Sequence, residues 1–201
     1  MPENFPMQPI LASFFLLLIF ASCNNSDEQK KPEPKITSKH SNYFNNSVQS
    51  AMDSYAALTE AFVNWDSTAI TQHAGELKTR LDSINFYGFD PQTITAPVDT
   101  LVLAKGDLQA ITMGSDITTK RHHFDTLTQH LYAFLDKVKY DAKKVYLQKC
   151  PMAFNDAESG HWLSPVDSIR NPYLGLHHPK YGKAMIDCGG NEAVIDFTSK
   201  K

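Results

Sequence analysis

The sequence of residues 116–138, DITTKRHHFDTLTQHLYAFLDKV, decides the fold class of this chain. Its apolar residues recur every three or four positions, which is the spacing that places them on one face of an α-helix. Asp116 stands directly before the first of them, where a short acceptor side chain caps a helix N-terminus. The pattern predicts one helix with a buried stripe made of Ile117, Phe124, Leu127, Leu131, Phe134, Leu135 and Val138.

Three further apolar stripes precede this one. Residues 86–95, which include Gly88 and Pro91, interrupt the pattern and predict a loop. A helix with one apolar face needs partners, and short connections favour antiparallel neighbours, so we expect a mainly α fold built on an up-down four-helix bundle. The stripes run from Val48 to Phe62, from the N-cap Asp66 to Ile84, and from Pro97, which suits a first helical turn, to Gly114.

The pattern changes after Lys144, where β-branched residues, glycine and proline become frequent and the helical period is lost. We expect a loop-rich C-terminal cap that contains a few short strands, near residues 145–149, 184–188 and 193–197, with a turn at Gly189 and Gly190. The expected organisation is a helical bundle at residues 41–140 and a cap at residues 141–201, packed as one domain.

Composition limits the classes of function. The 201 residues carry 19 Lys and Arg against 22 Asp and Glu, a net charge of −3. This balance argues against a nucleic-acid partner, because binding to nucleic acid needs a phosphate-neutralising surface. Eight histidines, six methionines and three cysteines are the unusual part of the inventory, since these side chains bind soft metals or change redox state.

The N-terminus predicts a targeting segment. Residues 9–21 form an apolar run that is shorter than the roughly 20 residues of a membrane-spanning helix, as in the apolar part of a signal peptide. Phe20-Ala21-Ser22-Cys23 resembles a bacterial lipobox, which implies cleavage after residue 22 and lipidation of Cys23. Residues 23–40 are too polar to fold and predict a tether. We therefore expect a cell-envelope lipoprotein that is anchored to the outer membrane by lipid.

Four blocks of the cap resemble an uncharacterised bacterial domain of unknown function. That domain occurs in lipoproteins and is also fused to periplasmic adaptor subunits of copper and silver efflux pumps. The resemblance extends back through residues 54–63 and 121–127, and it implies an association with heavy-metal efflux. The four blocks are Cys150-Pro151-Met152, Trp162-Leu163-Ser164, Ile169-Arg170-Asn171-Pro172-Tyr173 and Met185-Ile186-Asp187-Cys188-Gly189.

The residue types in the cap point to a soft-metal site. Thiolates and thioethers select Cu(I) and Ag(I), and Cys150 with Met152, like Met185 with Cys188, offers one of each. Met185 and Cys188 would face opposite sides of a continuous strand, so both can serve one site only if the chain turns there. His161 is a further candidate ligand.

Two other interpretations remain open at this level. In an oxidising compartment Cys150 and Cys188 can pair as a disulfide, which chain entropy would convert to roughly 4 kcal/mol of stabilisation. The chain would then be a structural interaction module without metal. A thiol enzyme that uses Cys150 and His161 is the weaker alternative, because the known catalytic motifs are missing from the sequence. We therefore expect no enzyme, and we expect the motif residues Trp162, Asn171, Pro172 and Tyr173 to serve packing.

The leading hypothesis is a lipoprotein that binds Cu(I) or Ag(I) as a chaperone, a buffer or an accessory of a heavy-metal efflux system. Its partners would be the membrane, through the lipid anchor, and an efflux adaptor protein.

Overall fold

The computed structural model describes residues 38–198, which form four helices followed by a small antiparallel sheet of three strands. The chain is therefore mainly helical with a little β-structure near its C-terminal end, as the sequence pattern predicts. The predicted signal segment, the lipidation site Cys23 and most of the predicted tether lie outside the described residues. The elements are α1 (Asn42–Val63), α2 (Ser67–Asp82), α3 (Pro91–Met113), α4 (Ile117–Lys137), β1 (Val145–Phe154), β2 (Glu158–Ser164) and β3 (Gly190–Ile195).

Local capping signals set two of the helix starts. The Asp66 carboxylate accepts hydrogen bonds from the backbone N–H groups of Thr68 and Ala69, at 3.0 and 2.9 Å, and so caps α2. Asp116 caps α4 in the same way, through a 2.9 Å bond from the N–H of Thr119. These contacts satisfy donors that have no partner inside the helix. Both predicted N-caps are confirmed, and α3 ends at Gly114 as predicted.

The predicted start of α3 is wrong. The helix begins at Pro91 rather than at Pro97, and Asp90 caps it by accepting a 2.9 Å hydrogen bond from the N–H of Gln92. Residues 91–95 are therefore helical and not a loop. An aspartate followed by a proline is a complete start signal, and it acts here before the second proline is reached. Pro97 lies buried inside the helix, which loses one backbone hydrogen bond there.

The sheet has the order β2-β1-β3, so β1 is its central strand and pairs antiparallel with both neighbours. The strand predicted near residues 145–149 extends to Phe154, and the last predicted strand lies at Gly190–Ile195. The strand expected at residues 184–188 is wrong. Those residues form turns, in which the N–H of Cys188 donates to the carbonyl of Met185 at 3.1 Å. The strand β2 was not predicted, because its first residues are polar and include Gly160.

The core joins the helices to the sheet. Phe124 on α4 packs against Phe62 and Tyr55 on α1, with ring centroids 4.6 and 5.4 Å apart. The Tyr55 hydroxyl, which is buried, lies 2.7 Å from the Thr128 hydroxyl and accepts a 3.1 Å hydrogen bond from the N–H of Leu163 on β2. Helix α1 is thereby tied to both α4 and the sheet. None of the helices within residues 38–198 is long and apolar enough to cross a membrane.

Candidate metal centre at the paired cysteines

Two free thiols meet where the central strand passes the loop that leads to β3. Cys150 lies on β1 and has no exposed surface, whereas Cys188 lies just before β3 and is partly exposed. Their Sγ atoms are 3.5 Å apart. Both residues are candidate ligands from the sequence, and the structure brings them together. Thirty-eight positions separate them along the chain, so the contact is a product of the tertiary fold.

The position of Cys188 is set by a buried asparagine. The side-chain nitrogen of Asn171 donates a 2.7 Å hydrogen bond to the carbonyl of Cys188, and the backbone N–H of Asn171 donates to the carbonyl of Ile186, also at 2.7 Å. Its side-chain oxygen accepts bonds from the N–H groups of Tyr173 and Leu174 at 2.7 and 3.0 Å. Asn171 has no exposed surface, so its side chain serves to join two loop segments beside the thiols.

Two glycines allow the close packing around the thiols. Gly160 pairs with Cys150 across the β1–β2 ladder, and a Cβ atom there would lie 2.7 Å from the Cβ of Ala153 and 2.8 Å from the Tyr173 ring. Gly189 has a φ of +137°, and a Cβ at that position would lie 2.6 Å from the carbonyl oxygen of Lys149. The residue after Cys188 must therefore be small for the loop to reach the central strand.

The environment of Cys188 keeps it protonated at neutral pH. Burial raises its pKa to about 11, and the neighbouring thiol of Cys150 and the carboxylate of Asp187 add to the effect. A metal ion that binds here must displace the proton, so affinity depends on pH. A groove of about 450 Å³ opens Cys188 to solvent, and Lys149 and Glu192 also line it.

The two methionines predicted as ligands flank the thiols in sequence. Met152 lies two residues beyond Cys150 on β1. Met185 begins a turn in which its own carbonyl accepts a hydrogen bond from the N–H of Cys188. The turn needed for Met185 and Cys188 to approach one site is therefore present. Both methionines are half-buried against the core.

His161 is not brought to the thiols. It pairs with Lys149 across the β1–β2 ladder, one position from the pair formed by Cys150 and Gly160, and successive strand residues point to opposite faces. Its Nδ1 atom lies 2.9 Å from the carboxylate of Asp125, and its Nε2 atom lies 3.1 Å from that of Glu192. Each ring nitrogen of His161 thus has a carboxylate partner, one on α4 (Asp125) and one on β3 (Glu192).

The aromatic motif residues fill the space between the sheet and the helices. Trp162 and Tyr173 are buried with ring centroids 6.2 Å apart, and Tyr173 also lies 6.0 Å from Phe124 on α4. The Tyr173 hydroxyl donates a 2.5 Å hydrogen bond to the carbonyl of His161. Pro172, which is buried between Asn171 and Tyr173, completes this packing.

The thiol pair is not part of a larger cluster of metal-binding side chains in the described part of the chain. Within residues 38–198, no group of three or more His, Cys, Asp or Glu side chains is placed to hold a metal ion. Thiolates are soft donors, the ligand type that Cu(I) and Ag(I) prefer.

Sequence reasoning gave no role to Arg121, which is 5% exposed on α4 and stacks over the Trp65 ring. Its position carried a signal. Arg121 lies four residues after Ile117 and three before Phe124, which places a charged residue on the apolar stripe of the helix.

A family model is similar to part of the chain. A family model described as "Protein of unknown function (DUF3347)" matches residues 51–143, from within α1 to just before β1. The helical part of the chain is thus similar to a domain-of-unknown-function family, and both thiols lie outside the matched residues. No curated protein and no solved structure matches the chain.

Proposed function

We propose that this chain is an extracytoplasmic lipoprotein that binds one soft metal ion, Cu(I) or Ag(I), through the thiolates of Cys150 and Cys188. The supporting observation is the 3.5 Å separation of two free Sγ atoms. With metal–sulfur bonds of about 2.3 Å, two thiolates on one ion are about 3.7 Å apart in a tetrahedral site and about 4.6 Å apart in a linear one. The pair is therefore within a small movement of binding geometry.

The more exposed thiol is the one that adjusts in this proposal. Cys150 is fixed in the central strand, whereas Cys188 lies in a loop beside the groove at Lys149 and Glu192. Met152 and Met185 supply thioether ligands from the strand and from the turn. Thioethers are soft donors without charge, so in this proposal they adjust the affinity for the metal ion, and the two thiolates provide most of it.

The cellular role that we propose is that of a metal chaperone, buffer or accessory of a heavy-metal efflux system, with an efflux adaptor as protein partner. The lipid on Cys23 would hold the chain at the outer membrane, and the tether would separate the folded part from the lipid. The helical part would be an up-down four-helix bundle. Its support is that consecutive helices pack against each other, α1 on α2, α2 on α3 and α3 on α4.

The same geometry supports a second candidate, a structural module closed by a Cys150–Cys188 disulfide. Disulfide formation needs the two sulfur atoms at about 2 Å, which also requires a movement of the Cys188 loop. The chain would then stabilise itself through the bond and interact with another envelope protein without metal.

Competition for Cu(I) against a chromogenic chelator, in the presence of reductant, tests the proposal. The parent should bind one Cu(I) per chain, Cys150→Ser and Cys188→Ser should lose tight binding, and Met152→Leu should bind more weakly. Met113→Leu is the matched control, because Met113 is 75% exposed on α3. Leucine keeps the volume of methionine and removes the donor sulfur. Equal weak binding by all these proteins would contradict the proposal.

Counting free thiols without reductant identifies the disulfide candidate. That candidate predicts that Cys150 and Cys188 resist alkylation until reductant is added. It also predicts that either serine variant loses a similar few kcal/mol of unfolding free energy, about the entropy of the lost loop. A Cys23→Ser variant that stays in the membrane fraction after a high-salt wash would contradict the proposed anchor.

A further inference from the structure

A buried arginine near the start of α4 has an open hydrogen-bonding edge. The guanidinium carbon of Arg121 lies 3.6 Å from the centre of the Trp65 ring, and the residue is 5% exposed. Its Nε and Nη2 atoms are buried and have no hydrogen-bond partner among the described residues. Stacking on Trp65 stabilises the flat face of the cation, but it leaves the N–H groups in the plane of the guanidinium unsatisfied.

Another arginine in the same protein shows what this edge binds. The Nε atom of Arg170 donates a 2.7 Å hydrogen bond to one carboxylate oxygen of Glu60, and its Nη2 atom donates a 2.5 Å bond to the other. Two parallel N–H groups on one side of a guanidinium match two oxygens bonded to one atom. Arg170 is exposed and paired in this way, whereas Arg121 presents the same two atoms buried and unpaired.

The surroundings of Arg121 add a further unpaired donor. The Nε1–H of Trp65 is also buried without a partner. His178 packs edge-on against the Trp65 ring at 5.2 Å, and its burial, together with the positive charge of Arg121, lowers the pKa of His178. Lys120, the preceding residue, is buried and donates from its Nζ atom to the Thr71 hydroxyl at 2.7 Å. A buried charge without a counter-charge is strongly unfavourable, so this cluster favours a bound anion.

We propose that the Nε and Nη2 edge of Arg121 is a binding site for a small oxyanion, in which two oxygens of one carboxylate or phosphate group accept the two N–H donors. Carboxylate and phosphate groups both carry a negative charge and two oxygens on one atom, and these are the features that this edge of Arg121 would recognise. Trp65 would contribute through its ring face and its indole N–H.

The segment at residues 175–182, which we call the covering segment, packs against Trp65, and we expect it to move when the anion enters. Its first residue, Gly175, has a φ of +50°, and a Cβ there would lie 2.8 Å from the Trp65 indole nitrogen. The next residue, Leu176, donates a 2.8 Å hydrogen bond to the carbonyl of Val63. The covering segment is a surface loop, and local opening of such loops costs far less than global unfolding.

Titration of the ¹⁵N-labelled protein with sodium acetate and with sodium phosphate, each at constant ionic strength set by sodium chloride, tests the proposal. The ¹H–¹⁵N signals of the Trp65 indole N–H and the Arg121 Nε–H should shift in a saturable manner with at least one anion. The anion that saturates at the lower concentration identifies whether carboxylate or phosphate is preferred. Signals that do not shift with either anion would overturn the proposal.

Two matched variants test the role of the edge. Arg121→Lys keeps the charge but loses the two parallel donors, so binding followed at the Trp65 indole signal should weaken at least about tenfold. Arg170→Lys makes the same exchange at an arginine whose edge is already occupied, and it should bind the anion like the parent. Equal binding by the two variants would overturn the proposal.

The Arg121 Nε–H signal of the parent decides the outcome if Arg121→Lys does not fold. A saturable shift of that signal would support the proposal, and a constant signal would overturn it. No metal is present in this experiment, so its result is independent of the proposed copper or silver binding.

Discussion

The side-chain amide of Asn171 donates a 2.7 Å hydrogen bond to the backbone carbonyl of Cys188. Asn171 has no exposed surface, and this hydrogen bond holds Cys188, the more exposed of the two thiols, close to Cys150. Since the side-chain oxygen of Asn171 accepts bonds from Tyr173 and Leu174 and its backbone N–H donates to Ile186, the position of Cys188 depends on this one residue.

Replacement of this asparagine should destabilise the fold. In Asn171→Ala several buried backbone groups lose their partners, and the unfolding free energy should fall by about 3 kcal/mol. Urea unfolding followed by circular dichroism measures the change. Asn46→Ala, at an exposed position on α1, is the control and should stay within about 0.5 kcal/mol of the parent. A similar small effect in both variants would contradict the role assigned to Asn171.

Two glycine-to-alanine changes should act in opposite directions. Gly160→Ala places a methyl group within 3 Å of Ala153 and Tyr173, so it should cost about 1–3 kcal/mol of unfolding free energy. Gly75→Ala lies within α2 and meets no atom within 4 Å, so the better helix propensity of alanine should stabilise by about 0.5–1 kcal/mol. Thermal melts of the two variants beside the parent give both signs in one measurement. A stabilised Gly160→Ala variant would contradict the packing described at the thiols.

Removal of one hydroxyl should loosen the junction between helices and sheet. Tyr55→Phe leaves the N–H of Leu163 without its acceptor in a buried position, so the unfolding free energy should decrease by about 1–3 kcal/mol. Tyr43→Phe makes the same chemical change at a residue that is 70% exposed and should have almost no effect. Denaturant titration of both variants gives the comparison, and equal stability of the two would remove Tyr55 from this role.

Alkylation of Cys188 should be slow at neutral pH and should accelerate with pH. The thiolate is the reactive form, and burial raises the pKa of Cys188 to about 11, so its reaction rate should still rise above about pH 9.5, where an ordinary cysteine has reached its plateau. Mass spectrometry of peptides after brief exposure to iodoacetamide measures the rate at this residue. The urea-unfolded protein is the control, with the ordinary profile. A folded-state profile that reaches its plateau by about pH 9.5, like that of the unfolded control, would contradict the described environment.

Signals contained within a few residues allowed much of the fold to be predicted. Asp66, Asp116 and Gly114 begin or end helices as predicted, because a cap depends only on its immediate neighbours. Pro97 misled the prediction because a proline is compatible both with a first turn and, at the cost of one hydrogen bond, with a helix interior. The strand β2 was missed because Gly160 weakens its sequence pattern. The role of Gly160 is seen only in the structure, where this residue pairs with Cys150 across the β1–β2 ladder.

The candidate site could be predicted in its residue types but not in its geometry. Cys150 and Cys188 stand out in the sequence as soft donors. Their contact, however, depends on Asn171 and Gly189, and no local sequence pattern reveals the roles of these two residues. His161 has the chemistry of a ligand, and only the strand register shows that it faces α4. Arg121 is the opposite case, because its position on an apolar stripe was visible in the sequence and its unpaired edge was not.

The strand order β2-β1-β3 has a consequence for synthesis of the chain. The central strand β1 finds its first neighbour within the next few residues, but its second neighbour is synthesised only after β2 and the loop at residues 165–189. Until Gly190–Ile195 is available, the nascent chain presents one edge of β1 with free backbone donors and acceptors, the condition under which strands of different molecules associate. Messages that stop before Gly190 should therefore yield aggregating products.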